Sequence, residues 1–133
     1  MHKLYYQPEG YWFGDCMPFS KDGVFYVYHQ RDTRNPAPFG EPFGWALATT
    51  TDFVNYKNFG ESLKRGRDDE PDQFIYAGSV FEDKDGNLHA FYTGYNREFL
   101  KVGKVSQVLM HATSDDLVDW NKSEEKLKLV PPK

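Results

Sequence analysis

Apolar and aromatic residues along this chain fall in short runs cut by Gly, Asp and Pro. In the first half WFGDCMPF (12–19), VFYVYHQ (24–30) and WALATTT (45–51) are such runs, and a KDG turn joins the first two. In the second half FIYAGSVFE (74–82), a KDGN turn, LHAFYTGY (88–95) and VLMHATS (108–114) repeat the layout. Aromatic and β-branched runs bounded by turn residues predict strands. An Asp-Gly pair between two of them predicts a hairpin. No stretch carries a helical period, and Pro36, Pro38, Pro42 and Pro71 interrupt the longer gaps. NPAPFGEPFG (35–44) reads as a loop with an aromatic filling, and ESLKRGRDDEPDQ (61–73) as a solvated, charged linker.

The two halves look like copies. ALATTTDFVNY (46–56) aligns with MHATSDDLVDW (110–120), pairing Ala48 with Ala112, Thr49 with Thr113, Asp52 with Asp116, Val54 with Val118 and Tyr56 with Trp120. The same spacing places Gly14 on Gly78 and Tyr28 on Tyr92, and one inserted residue brings DGVFYVY (22–28) onto DGNLHAFY (85–92). Four matched segments in one order predict a duplication. A repeated unit of three or four antiparallel strands is the pattern of a β-propeller blade, which buries its faces only by stacking on other blades. The expected fold is all-β, with antiparallel four-stranded sheets as blades, one over about residues 10–60 and the other over about 74–122. Propellers hold about four to eight blades. Two blades therefore point to part of a longer propeller, to chains that associate into a ring, or to some other small β structure. The end KLKLVPPK (126–133) falls where a third unit would begin and reads as a cut.

Composition narrows the function classes. The 17% aromatic content is too high for a solvated tail. No apolar run reaches the length of a membrane-spanning helix, and MHKLYYQPEG lacks the basic-then-apolar layout of a signal peptide, so the expected compartment is the cytoplasm. A net charge of -4 without a basic cluster gives no reason to expect nucleic acid or a membrane as partner. The single Cys16 can form neither an internal disulfide nor a thiolate cluster.

The candidate chemistry lies in the first strand of each unit. The repeat makes Asp15 and Ser79 equivalent, each behind a glycine (Gly14, Gly78) that would let a ligand or backbone come close. An acid in so aromatic a strand is paired, used in chemistry, or caps a turn. His29, His89 and His111 lack the spacing of a metal site and read as core or surface residues, and Cys16 as a small buried filler. Trp12, Phe13, Phe39, Phe43 and Trp45 could line a pocket or fill the space between blades. Asp115, Asp116 and Asp119 belong to the DLVDW turn, where the counterpart Asp52 suggests capping.

These residues carry a resemblance. YWFGDCMPFSKDGVFYVYHQ is similar to the N-terminal motif of the five-bladed propeller glycoside hydrolases of families 32 and 43, in which Trp, two residues and a catalytic Asp open the first blade. WALATTTDFVNY resembles the WGHAxSxDLVHW segment of family 32, AGSVFEDKDGNLHAFYTGYN resembles its second-blade SGS and FYTG motifs, and HATSDDLVDW is its blade-closing motif again. The resemblance covers nearly the whole chain and implies about two of five blades.

It implies Asp15 as catalytic carboxylate: nucleophile of a retaining reaction in family 32, general base of an inverting one in family 43. Trp12, Gln30, Trp45, Gly78 and Ser79 become the substrate-binding positions, with sucrose, another fructoside or a pentoside as partner. No cofactor and no metal are implied. The chain departs from the family 32 WMNDPNG motif, with Gly14 where Asn precedes the acid and Cys16 where Pro follows it. The resemblance also implies an Arg-Asp-Pro and a later Glu, and Arg31-Asp32-Thr33 is neither in the right blade nor followed by Pro. The expected protein is thus the N-terminal part of a glycosidase, inactive alone and completed by missing blades or self-association. The alternative is a non-catalytic carbohydrate-binding or self-assembling two-blade module.

Overall fold

The computed structural model of the chain describes residues 6–33 and 40–123. Phe39 and the terminal KLKLVPPK lie outside the described residues. Strands β1 (Trp12–Lys21), β2 (Val24–Asp32), β3 (Trp45–Thr50) and β4 (Lys57–Leu63) form one antiparallel sheet in that order. Strands β5 (Phe74–Glu82), β6 (Leu88–Tyr95), β7 (Gln107–Ser114) and β8 (Asn121–Lys122) form a second with the same order. The all-β expectation of two four-stranded sheets is met, and β1 lies beside β5.

Turn chemistry sets the boundaries. Asp22 and Gly23 both take left-handed φ, 52° and 80°, as a two-residue hairpin turn requires. At the ends of β3 and β7 one turn occurs twice. Asp52 accepts from the Val54 and Asn55 amides at 2.9 and 2.8 Å, and Asp116 from the Val118 and Asp119 amides at 2.9 and 2.8 Å. The residue after each aspartate, Phe53 or Leu117, is held at positive φ. Shared strain at equivalent positions is stronger support for duplication than the letters alone.

Strand register corrects the alignment further upstream. A bulge lies between Phe13 and Cys16 in β1 and between Ile75 and Gly78 in β5, so the bulged pair Gly14-Asp15 corresponds to Tyr76-Ala77. Asp15 is therefore not the counterpart of Ser79. Val27 pairs with Ala48 and Ala90 with Ala112, which makes Tyr28 equivalent to Phe91 and His29 to Tyr92. The identical Tyr28 and Tyr92 are not copies. They approach from opposite sheets, with Trp45 5.9 Å from the first ring and 6.1 Å from the second.

That meeting is the core. Tyr28, Trp45 and Leu47 from the first sheet face Ile75, Ala90 and Tyr92 from the second, all at 0% exposure. Burying each large apolar side chain stabilises by about 1.5–3 kcal/mol. Polar contacts fix the relative placement. Trp45 Nε1 donates to Tyr76 O at 2.7 Å, Ile75 N to Phe43 O at 2.9 Å and Ser62 Oγ to Val118 O at 2.5 Å, while the Tyr28 hydroxyl donates to Leu117 O. Burial pushes the Tyr28 pKa far up, so the hydroxyl stays a donor.

Two expectations about connections change. Residues 61–63 complete β4, and the rest of the connection is not a solvated linker: Asp72 and Gln73 are buried, Gly66 N donates to Asp72 O at 2.8 Å, and Lys122 ion-pairs with Asp72 at 2.5 Å. Buried Asn96 reaches back to Asp68 O and Glu70 O at 2.9 and 2.7 Å, and its Oδ1 caps a short helix, α1 (Arg97–Lys101). One helical turn is too short to show a period in the sequence. Trp45→Ala is expected to cost about 3–5 kcal/mol in urea unfolding, whereas Val54→Ala, on an exposed turn, should change stability by no more than about 0.5 kcal/mol.

Candidate functional site

The bulge in β1 turns Asp15 out of the sheet. An extra residue on one strand interrupts pairing and re-aims the side chains beside it. Asp15 is exposed, and its Oδ2 accepts from Gln30 Nε2 at 3.2 Å. Gly14 makes that bond possible. A Cβ at position 14 would sit 2.6 Å from Gln30 Oε1 and 2.9 Å from Gln30 Cβ, so the missing side chain is the space through which Gln30 crosses to Asp15. At the position where Gly14 departs from the Asn of the WMNDPNG pattern, a side-chain amide thus reaches Asp15 from β2 instead. Arg31, next along, lies over the Tyr11 ring at 4.2 Å from its centroid, bonds the Tyr11 hydroxyl and pairs with Glu61 at 3.6 Å.

The other sequence candidates separate. Trp12 is 61% exposed at the start of β1. Gly78 and Ser79 are exposed on β5; Ser79 pairs with Phe91 on the face turned away from the first sheet, and a Cβ on Gly78 would collide with the Phe91 carbonyl. Trp45 does not line a pocket. It is wholly buried between the sheets, because its indole N–H is needed by Tyr76 O and its ring by the two tyrosines. Phe43 is likewise buried, and Phe13 stacks on His29 at 4.4 Å.

The expectation of Cys16 as a buried filler is also corrected. Cys16 pairs with His29 on the face away from the second sheet and is exposed. Partial burial nonetheless pushes its pKa up, which disfavours the nucleophilic thiolate. His29 is buried on that same face, against Tyr6 and Phe13: it is 1% exposed, its Nδ1 lies 3.0 Å from Gln30 O, and burial lowers its pKa. His89 and His111, which nothing in the sequence pairs, are bonded to each other, Nδ1 to Nε2, at 2.9 Å. Only strand register brings residues so far apart in sequence onto neighbouring strands. Among the described residues no cluster of three or more His, Cys, Asp or Glu side chains could hold a metal.

A single accessible carboxylate with one amide donor can attack, accept a proton or orient a water. It cannot also supply the proton that a departing alkoxide needs. The aspartates of the duplicated turn do not fill that role, since backbone N–H groups hold the Asp52 and Asp116 pKa values below the usual carboxylate range.

The model of the Glycosyl hydrolases family 32 N-terminal domain matches residues 5–133. The chain belongs to this family. Among solved structures, this family 32 chain is similar to fructan 1-exohydrolase IIa from Cichorium intybus, with 23% identity, a TM-score of 0.74, and 99% of this chain covering 25% of that one. Fructofuranosidase from Schwanniomyces occidentalis complexed with fructose gives 21% identity and a TM-score of 0.74, with 92% of this chain and 25% of that one covered. CoXyl43, a GH43 β-xylosidase/α-arabinofuranosidase from a compost microbial metagenome, gives 16% identity and a TM-score of 0.64, with 89% and 36% covered. These likenesses support the propeller fold, of which the family 32 chain spans about a quarter to a third of the length of those structures. No curated protein sequence matches it.

Two outcomes follow from the geometry. Because the folded pKa values of Asp52 and Asp116 are depressed, their stabilisation is present above about pH 4 and lost as pH falls through the folded values. Denaturation at about pH 7 and about pH 3 should therefore show a smaller acid loss in Asp116→Ala than in the parent chain. Maleimide should label Cys16 without denaturant, more slowly than a free thiol at about pH 7; labelling only after unfolding would contradict its exposure.

Proposed function

We propose that this chain is the Asp15-bearing portion of a glycoside hydrolase that cleaves O-glycosidic bonds of fructosides or related furanosides and pentosides. The observation that carries the reading is Asp15 itself, aimed into solvent from a bulge and held by Gln30 across Gly14. The family assignment and the fructosidase neighbours support a sugar substrate, and one structure of the Cichorium intybus enzyme was solved in complex with 1-kestose.

In this reading Asp15 attacks the anomeric carbon of a furanoside, or takes a proton from water at that carbon if the reaction inverts. Gln30 fixes the carboxylate through one oxygen and leaves the other open to the substrate. Trp12 offers an exposed apolar face for the sugar ring. Gly78 and Ser79 would extend the site along β5, where both are exposed, with the absent Cβ of Gly78 admitting the Phe91 carbonyl of β6. The proton donor comes from outside the chain, from further blades of the same polypeptide or a partner.

The 133-residue chain is accordingly expected to show no turnover of sucrose. In a polypeptide that carries the remaining blades, Asp15→Asn should lower kcat by roughly 10²–10⁴-fold or more. Gly14→Ala, which pushes Gln30 off the carboxylate, should lower kcat more than it raises KM. Turnover by the isolated chain that disappears in Asp15→Asn would sink the requirement for an outside acid. Sugar binding by the complete polypeptide with no hydrolysis, unchanged in Asp15→Asn, would replace this reading with a non-catalytic carbohydrate-binding module.

A further inference from the structure

Four polar side chains of the second sheet and its turns form a run of hydrogen bonds that glycoside cleavage does not use, anchored at Asp83, whose carboxylate also accepts from the Asp85 and Asn87 amides and the Asn87 side chain. Asp83 Oδ2, in the turn after β5, lies 2.7 Å from His89 Nε2; His89 Nδ1 lies 2.9 Å from His111 Nε2; and His111 Nδ1 lies 2.6 Å from Ser123 Oγ. With both rings neutral, one direction of donation satisfies every link. The carboxylate only accepts, so His89 carries its hydrogen on Nε2 and its Nδ1 accepts. His111 then carries its hydrogen on Nε2, and its Nδ1 accepts from the Ser123 hydroxyl.

One added proton fits. His89 becomes an imidazolium, and His111 reverses polarity, accepting at Nε2 and donating from Nδ1 to Ser123. A second proton does not fit, because it would set N–H against N–H across 2.9 Å. The surroundings sharpen this limit. Phe81 stacks on His89 at 5.0 Å, and Phe91 lies 4.9 Å from His111. Of the charged side chains on the adjoining elements, Glu82 of β5 pairs with Lys21, Lys84 and Asp85 sit in the exposed turn, and Lys122 of β8 pairs with Asp72. Among the described residues Asp83 is the charged group bonded to the pair. Burial and the neighbouring His89 hold the His111 pKa below the ordinary histidine range.

The run ends on the sheet's shortest strand. β8 pairs with β7 at Asn121 and Lys122, and Ser123 adds N–H donation to His111 O at 2.9 Å. We propose that Asp83, His89, His111 and Ser123 form a one-proton relay that pins the end of β8 to the second sheet and releases it when a second proton arrives. The order of residues is that of a nucleophile relay, but the Ser123 N–H is bonded to His111 O and does not serve as an oxyanion donor, so fastening is the role that the geometry carries. The sign follows from linkage. A folded-state pKa below the unfolded value means that the unfolded chain binds more protons, so the contribution is present at neutral pH and lost as pH falls below about 6.5.

Nitrogen NMR of the imidazoles in the 133-residue chain, followed from about pH 8 to about pH 5, tests this. At the upper limit both rings should carry hydrogen on Nε2 alone. On acidification they should share the first protonation step at one midpoint. At the second step the exchange protection of the Ser123 amide should fall while that of the β6 amides holds. Ser123→Ala should keep the shared midpoint but lose the pH-dependent step at residue 123, and His89→Phe, which matches the flanking rings, should leave His111 titrating alone. Independent midpoints for the two rings, or Nδ1–H on His89 at about pH 8, would overturn the proposal even if a variant failed to fold.

Discussion

The structure depends on one indole ring held between two tyrosines from different sheets. A single four-stranded sheet has two faces to cover and nothing of its own to cover them with. Trp45 resolves one of those faces. Its ring occupies the space between Tyr28 and Tyr92, and its N–H ties it to the carbonyl of Tyr76 in the opposite sheet. The same contact sets where β5 begins, because Ile75 N is bonded to Phe43 O two residues before Trp45. The positions of the bulges and of Asp15 relative to β5 follow from that junction.

Strands and turns were legible in the sequence because their signals are local. The runs of aromatic residues, the two Asp-Gly turns and the paired DFVNY and DLVDW segments each report their own backbone geometry. What could not be read was everything that depends on register. The letters align Tyr28 with Tyr92, and only the pairing of Val27 with Ala48 and Ala90 with Ala112 shows that each tyrosine has another residue as its counterpart. The same limit misplaced Ser79 against Asp15 and hid the contact between His89 and His111. Burial was misjudged where it depends on what lies opposite: Trp45 has a whole sheet over it, whereas Cys16 faces away from that sheet.

The candidate site was legible as a residue type and a place, not as a constellation. Asp15 stood out because an acid in an aromatic strand calls for a reason. Its partner Gln30 came from the family resemblance, but the physical basis of the contact, an absent Cβ at Gly14, becomes visible only with both strands in position. A substitution that looks like a loss in the motif is, in three dimensions, the opening that a neighbouring side chain fills.

The equivalence of Tyr28 with Phe91 has a directional consequence. The inward face of the first sheet, with Phe19, Tyr26, Tyr28 and Leu47, corresponds position by position to the outward face of the second, with Phe81, His89, Phe91 and His111. The pair of sheets is therefore polar, with a leading face and a trailing face that differ. Any further sheet of the same kind, from the same polypeptide or another copy, has to join head to tail. Such growth ends only when rotation brings the last leading face round to the first trailing one. At the leading face of this pair, where Tyr26 and Leu47 have an apolar neighbour, the next neighbour would meet two imidazoles.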